Sequence, residues 1–195
     1  MYHARPDLFP STTYTVVNLC ISSGNSPLAA LAYSSYGMLL CAQNEIEMGY
    51  RFGHVALEIM EQMNPQELKA KRISLFELGI RHWKEHARGA IQPLLEGVQA
   101  CLDVGDIERA GYNALYYCRF LFAVGESLEF VAQQQATYLS LTRKLKQESI
   151  TQNLLVDSQM VLNLLAHGES SEYPACPLAE RMLGPLFDEE QMLPD

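Results

Sequence analysis

At 195 residues and 21.9 kDa, with 48% apolar residues, the chain is long enough to bury a sizeable core as one domain, and its composition excludes intrinsic disorder for the body. A net charge of −9 and a pI near 5.0 exclude a nucleic-acid groove, because phosphate binding is carried by clustered Lys and Arg.

In chain order, residues 1–10 read as an irregular segment punctuated by Pro6 and Pro10, and helical patterning then fills 11–167. The first helix, 11–22, carries Tyr14, Val17, Leu19 and Ile21 and stops at Gly24. Ser26-Pro27 opens a second helix, running to Ala42, with a capping hydroxyl followed by Pro at the first helical position. Its partner runs to Met63, with Gly49, Gly53 and Ala56 on one face. Two glycines inside a helix cost about 1 kcal/mol each relative to Ala, so close packing against a neighbour is the expected compensation. Asn64-Pro65 breaks the chain. A second pair covers 66–84 and 87–104, where Pro93 is tolerable only near the start, and Gly105-Asp106 closes it. A third pair covers 107–124 and 127–146, and a last helix spans 148–166. The tail 168–195, with Pro174, Pro177, Pro185, Pro194 and the acidic run Asp188-Glu189-Glu190, predicts irregular chain with one short helix at 178–183. No stretch alternates long enough for a strand, so the class is all-α.

Gly49, Ala90 and Val131 each open the inner face of a helix just after a polar link, at a near-constant interval. This spacing predicts antiparallel helix-pair repeats, tetratricopeptide-like, stacked into a right-handed superhelix in which one unit of about 34–47 residues buries its apolar face only against its neighbours. Basic groups at Lys69, Lys71, Arg72 and at Arg143, Lys144, Lys146 lack interleaved aromatics and read as solvated faces. Five dispersed cysteines (Cys20, Cys41, Cys101, Cys118, Cys176), without a CxxC, read as reduced buried thiols. No signal-peptide pattern and no bilayer-length apolar run occurs, which predicts a cytoplasmic protein.

The sharpest string with chemical content is His82-Trp83-Lys84-Glu85-His86, which fits the H-x-x-E-H pattern of inverted zinc peptidases. That chemistry needs one continuous helix through both histidines and a third ligand. Here the string falls where one helix ends and the next begins, so the favoured expectation is a structural junction with Trp83 packed and the charges solvated. Tyr112, Tyr116, Phe120 and Phe122 are a candidate lining for a small-molecule pocket, although aromatics at helical spacing usually belong to the core. Phosphate loops, nucleophile elbows, kinase loops and dinucleotide fingerprints are absent. No catalytic, metal or cofactor residue is assigned, and the chain reads as a non-enzyme without a cofactor.

Several separated blocks carry a resemblance: Leu8-Phe9-Pro10, Val17-Asn18-Leu19, Gly24-Asn25-Ser26-Pro27, Gly49-Tyr50-Arg51-Phe52-Gly53, Arg81-His82-Trp83-Lys84-Glu85-His86, Pro93-Leu94-Leu95-Glu96, Ala136-Thr137-Tyr138 and Val161-Leu162-Asn163-Leu164-Leu165. Together they resemble the tetratricopeptide-like region of large cyanobacterial-type multi-sensor signalling kinases. In that family this region lies between an AAA-like ATPase and GAF sensor domains. The resemblance implies a signal-relay module that binds proteins, with ATPase, kinase or GAF domains of the same system as partners. None of that family's kinase, ATPase or GAF motifs is present in this chain. Self-association through an exposed apolar face of the last helix is a further expectation, with the tail as its rival cover.

Overall fold

A computed structural model describes residues 6–26, 28–63 and 75–168. The break at Asn64-Pro65, the basic group Lys69, Lys71, Arg72, the start of the 66–84 helix, Pro27, Cys176 and the predicted helix at 178–183 lie outside the described residues. All regular structure among the described residues is helical. A short 3-10 turn Pro6–Leu8 leads into α1 (Phe9–Ser23), followed by α2 (Ala29–Ala42), α3 (Ile46–Met63) and the helical residues 75–79 (α4). A 3-10 turn Arg81–Trp83 precedes α5 (Arg88–Asp103), α6 (Ile107–Ala123), α7 (Leu128–Lys144) and α8 (Glu148–Gly168). The first long helix thus begins two residues before the expected 11, with Pro10 in its first turn, where a missing N–H leaves no intrahelical bond unmade. Among the described residues no helix is long and apolar enough to cross a membrane. The chain divides into two compact units, Met1–Phe120 and Leu121–Asp195, with the boundary inside α6.

In the first unit, α1, α2 and α3 share a core of Val17, Cys20, Ala29, Ala30, Ala32, Tyr33, Ala56 and Met60. The small residues of α2 let α3 approach until glycines face each other: a Cβ on Gly49 would lie 2.6 Å from the Gly37 carbonyl oxygen. Gly53 is likewise closed off, by the Phe76 ring and Ile80 of the following segment. Close packing is therefore the compensation for the glycines inside α3. Farther along, α5 and α6 meet through Cys101 and Ala110.

In the second unit, α7 and α8 form an antiparallel hairpin whose buried residues include Val131, Leu139, Ile150, Leu154, Val161 and Leu162. Thr151 Oγ1 and Thr142 Oγ1, both buried, share a hydrogen bond of 2.9 Å across the pair.

One turn recurs at four helix ends. Asn44, Gly105, Gly125 and Lys146 all adopt positive φ. In each case the next N–H bonds back five residues: Glu45 to Leu40, Asp106 to Cys101, Glu126 to Leu121 and Gln147 to Thr142. This is the Schellman closure, which satisfies carbonyls that a helix end leaves free. Gly49, Ala90 and Val131, the residues with which the repeat was read, are all buried. Lys146 is the one member of the turn set whose side chain suits φ +55° poorly. Lys146→Gly is expected to stabilise the protein by about 1 kcal/mol in urea unfolding.

Candidate docking surface and the His82 to His86 junction

The segment after α4 is organised by Arg81. Its Nη1 donates to both carboxylate oxygens of Glu77, at 2.8 and 2.7 Å, and its Nε donates to Glu85 at 3.0 Å. Nη1 also reaches the Gly89 carbonyl at 3.1 Å. That last bond has a sequence cause. Pro93 lies inside α5 and has no N–H, so the carbonyl four residues earlier, that of Gly89, loses its helical donor. The guanidinium replaces it.

Tyr50 of α3 completes the network by donating its hydroxyl to Glu85. This hydrogen bond, together with the Arg81 charge, holds the Glu85 carboxyl below its ordinary range. The same bond raises Tyr50 above the ordinary phenol value, with burial adding to it. Lys84 lies 4.8 Å over the Tyr50 ring and pairs with Glu47 at 2.6 Å, an exposed pair worth little by itself.

The signs fix a pH window. Lowered in the fold, Glu85 contributes stability that is full above its unfolded pKa and is lost as pH falls through the folded value. Raised in the fold, Tyr50 contributes stability that is full below its unfolded pKa and is lost as pH rises through the folded value. Thermal midpoints measured from pH 3 to 11 are expected to form a plateau that declines below about 4.5 and, as the buried thiols of Cys41 and Cys101 and then Tyr50 are reached, above about 8.5. Tyr50→Phe is expected to reduce the alkaline decline, to which Cys41, Cys101, Tyr33 and Tyr112 also contribute, and to weaken the acid one.

The junction expectation is met in the backbone, because Arg81–Trp83 is a 3-10 turn and Glu85 and His86 lie outside any helix. The H-x-x-E-H residues are spent separately. Glu85 serves Tyr50 and Arg81, His86 Nδ1 accepts the Arg88 N–H at 3.1 Å, and His82 turns toward aromatic rings. Among the described residues no group of three or more His, Cys, Asp or Glu is placed to hold a metal ion.

Two details correct the sequence reading. Trp83 is not packed but 46% exposed, and the charges of the string are not all simply solvated, since Glu85 accepts hydrogen bonds from Tyr50 and Arg81. A tryptophan at the end of an apolar helix normally turns inward. Here the helix has already ended, and the 3-10 turn rotates Trp83 outward.

Outside, Trp83 continues a row of rings. His82 lies 5.6 Å from Trp83 and 6.0 Å from Phe120, and Phe120 lies 6.5 Å from Tyr116, most of these edge-to-face or tilted. Arg119 stands 5.6 Å from the centre of the Tyr116 ring. Burial lowers the His82 pKa, which keeps its ring neutral in the row at physiological pH. The two candidate sites read from sequence, the histidine string and the α6 aromatics, therefore meet in one strip. Of the predicted pocket lining, Tyr112, Tyr116 and Phe120 recur every four residues along one side of α6, whereas Phe122 lies about 200° round from Phe120.

A cleft is found elsewhere, between α1 and α2, with about 290 Å³ of space lined by Phe9, Thr13, Val16, Leu28 and Leu31 among others. The described cysteines, Cys20, Cys41, Cys101 and Cys118, are buried, and burial pushes the Cys101 thiol up to about 11, far from a reactive thiolate. Sequence reasoning missed Arg81 and Tyr50. The signal available for Arg81 was Pro93, whose position inside a helix demands a donor for Gly89.

The chain matches no family model, no curated protein and no solved structure.

Proposed function

We propose that the chain is a non-catalytic helical-repeat module of the cytoplasm that relays a signal by binding protein, with the strip Trp83, His82, Phe120 and Tyr116 as its docking surface. The observation that carries this reading is the exposed Trp83 continuous with other rings. Trp, Tyr and Arg are the residue types that dominate binding energy at protein interfaces, Trp and Tyr because they bury large area at low entropy cost and Arg through its planar set of donors. The recurrent helix turn and the small-residue crossing of α2 and α3 support the repeat reading, in which stacked pairs present a continuous face. The sequence blocks that resemble the helical region of multi-sensor signalling kinases support ATPase, kinase or GAF domains as the partner class. Arg81 and Tyr50 hold the strip in place and take no part in chemistry.

Trp83 is the chain's one tryptophan, so its emission reports on the strip alone. Titration with purified AAA-like ATPase and GAF domains of such a kinase is expected to shift that emission to the blue with one of them. Trp83→Ala, read by calorimetry, is expected to weaken the same binding at least tenfold without changing the circular dichroism. Unchanged emission with every domain, or undiminished affinity of Trp83→Ala, would reject the proposal.

A further inference from the structure

α8 ends at Gly168, and the 27 residues that follow lie outside the described residues. The register fixed by the Thr142–Thr151 hydrogen bond carries α8 back along α7 until Gly168 stands level with the turn 124–127, through which α6 leads into α7. Phe120 lies in the last turn of α6, directly before that connection. The tail therefore leaves the hairpin at the end that Phe120 adjoins along the chain. The four residues 169–172 let Tyr173 stand up to about 17 Å from Gly168. Next comes Pro174-Ala175-Cys176-Pro177, the one Pro-x-x-Pro of the sequence.

We propose that this tail segment, residues 173–177, occupies the ring row Trp83, His82, Phe120 and Tyr116 in the free chain. Such a segment favours the polyproline II helix, whose three residues per turn bring Pro174 and Pro177 to one side. Its rise of about 3.1 Å sets residues two apart at about 6.2 Å, which matches the ring-to-ring steps of 5.6, 6.0 and 6.5 Å. Rings that meet tilted or edge-to-face leave shallow gaps between them. A proline ring fills such a gap at low entropy cost and brings no N–H to desolvate. Charge favours the same occupant. The tail holds seven carboxylates against one arginine. Lys84, which pairs with Glu47, follows Trp83 at one end of the row, and Arg119 stands over the Tyr116 ring at the other. Glu85, in the same turn, is engaged by Tyr50 and Arg81. The inference rests on the row being a docking surface, and it names the chemistry that surface takes: a Pro-x-x-Pro segment, the chain's own until a partner displaces it.

Trp83 emission from the full chain tests it. Pro174→Ala combined with Pro177→Ala is expected to shift that emission to the red and to raise its quenching by acrylamide at least twofold, with unchanged circular dichroism. A synthetic peptide of residues 171–179, added in excess to this variant, is expected to return both readings to wild-type values. Pro185→Ala combined with Pro194→Ala, outside the motif, is expected to leave them unchanged. Wild-type emission and quenching in the first variant overturn the proposal, as does an equal change in the second variant or a peptide without effect. A domain that docks on the row is expected to bind the Pro174→Ala, Pro177→Ala protein at least threefold more tightly than wild type, and equal affinity would count against the tail as occupant. Tail-dependent emission without binding of any ATPase or GAF domain supports the occupant and rejects only the partner class.

Discussion

Arg81→Met is expected to lower the thermal midpoint by roughly 5–15 °C, corresponding to about 2–4 kcal/mol for a chain of this size. The substitution keeps most of the stem volume, so the loss reports on the guanidinium. It donates to three groups: Glu77, whose residue exposure is 7%, Glu85, and the Gly89 carbonyl deprived of its helical donor by Pro93. Removing the guanidinium takes two hydrogen bonds of 2.8 and 2.7 Å and part of the charge compensation from buried Glu77, a loss larger than the net worth of the pair itself. Two further variants separate the causes. Glu77→Leu combined with Arg81→Met is expected to recover much of the loss, because an apolar pair carries no desolvation penalty. Pro93→Ala restores an N–H to the Gly89 carbonyl, so it is expected to stabilise the Arg81→Met protein more than the wild type. An Arg81→Met midpoint within 1 °C of wild type would show that the network does not hold the junction. The row of rings is coupled to it, since His82 and Trp83 directly follow Arg81 in the same turn.

The parts of this molecule visible in the sequence are those encoded locally. Gly105-Asp106 announced its turn because glycine accepts positive φ and Asp106 accepts the Arg109 N–H as a cap. The α3 glycines announced a close crossing because nothing else offsets their helix penalty. Lys146 makes the same turn as Gly105 with no glycine to mark it, so only the backbone reveals it. The strip was illegible for a different reason. Its members come from two segments that the sequence separates by more than thirty residues, and Trp83 faces outward only because the helix before it stops at a 3-10 turn. A histidine string and an aromatic helix each have a bland local explanation. Their meeting at His82 and Phe120 is a property of tertiary packing, which local pattern does not carry.

Gly49→Ala is expected to destabilise the protein by about 2–3 kcal/mol, and Gly49→Val by more, although alanine is the better helix former. On an exposed helix the exchange would gain about 1 kcal/mol from propensity. At Gly49 the new Cβ would stand 2.6 Å from the Gly37 carbonyl oxygen and 3.0 Å from the Cys41 backbone nitrogen. Both are backbone atoms of α2, so no rotamer change relieves the contact and the two helices must separate. Separation also opens the packing of Cys41 against Phe76 and Ile80, the cluster beneath Tyr50 and the junction. Gly89 is the control, since it lies in α5 with nothing within 4 Å of its added Cβ. Gly89→Ala is expected to be neutral or stabilising by up to about 1 kcal/mol. The two substitutions are chemically identical, so opposite signs in urea unfolding isolate the glycine-to-glycine crossing as the cause. Equal signs would mean that α2 and α3 do not approach this closely. The apparent waste of two glycines within one helix of 18 residues would then lack its compensation.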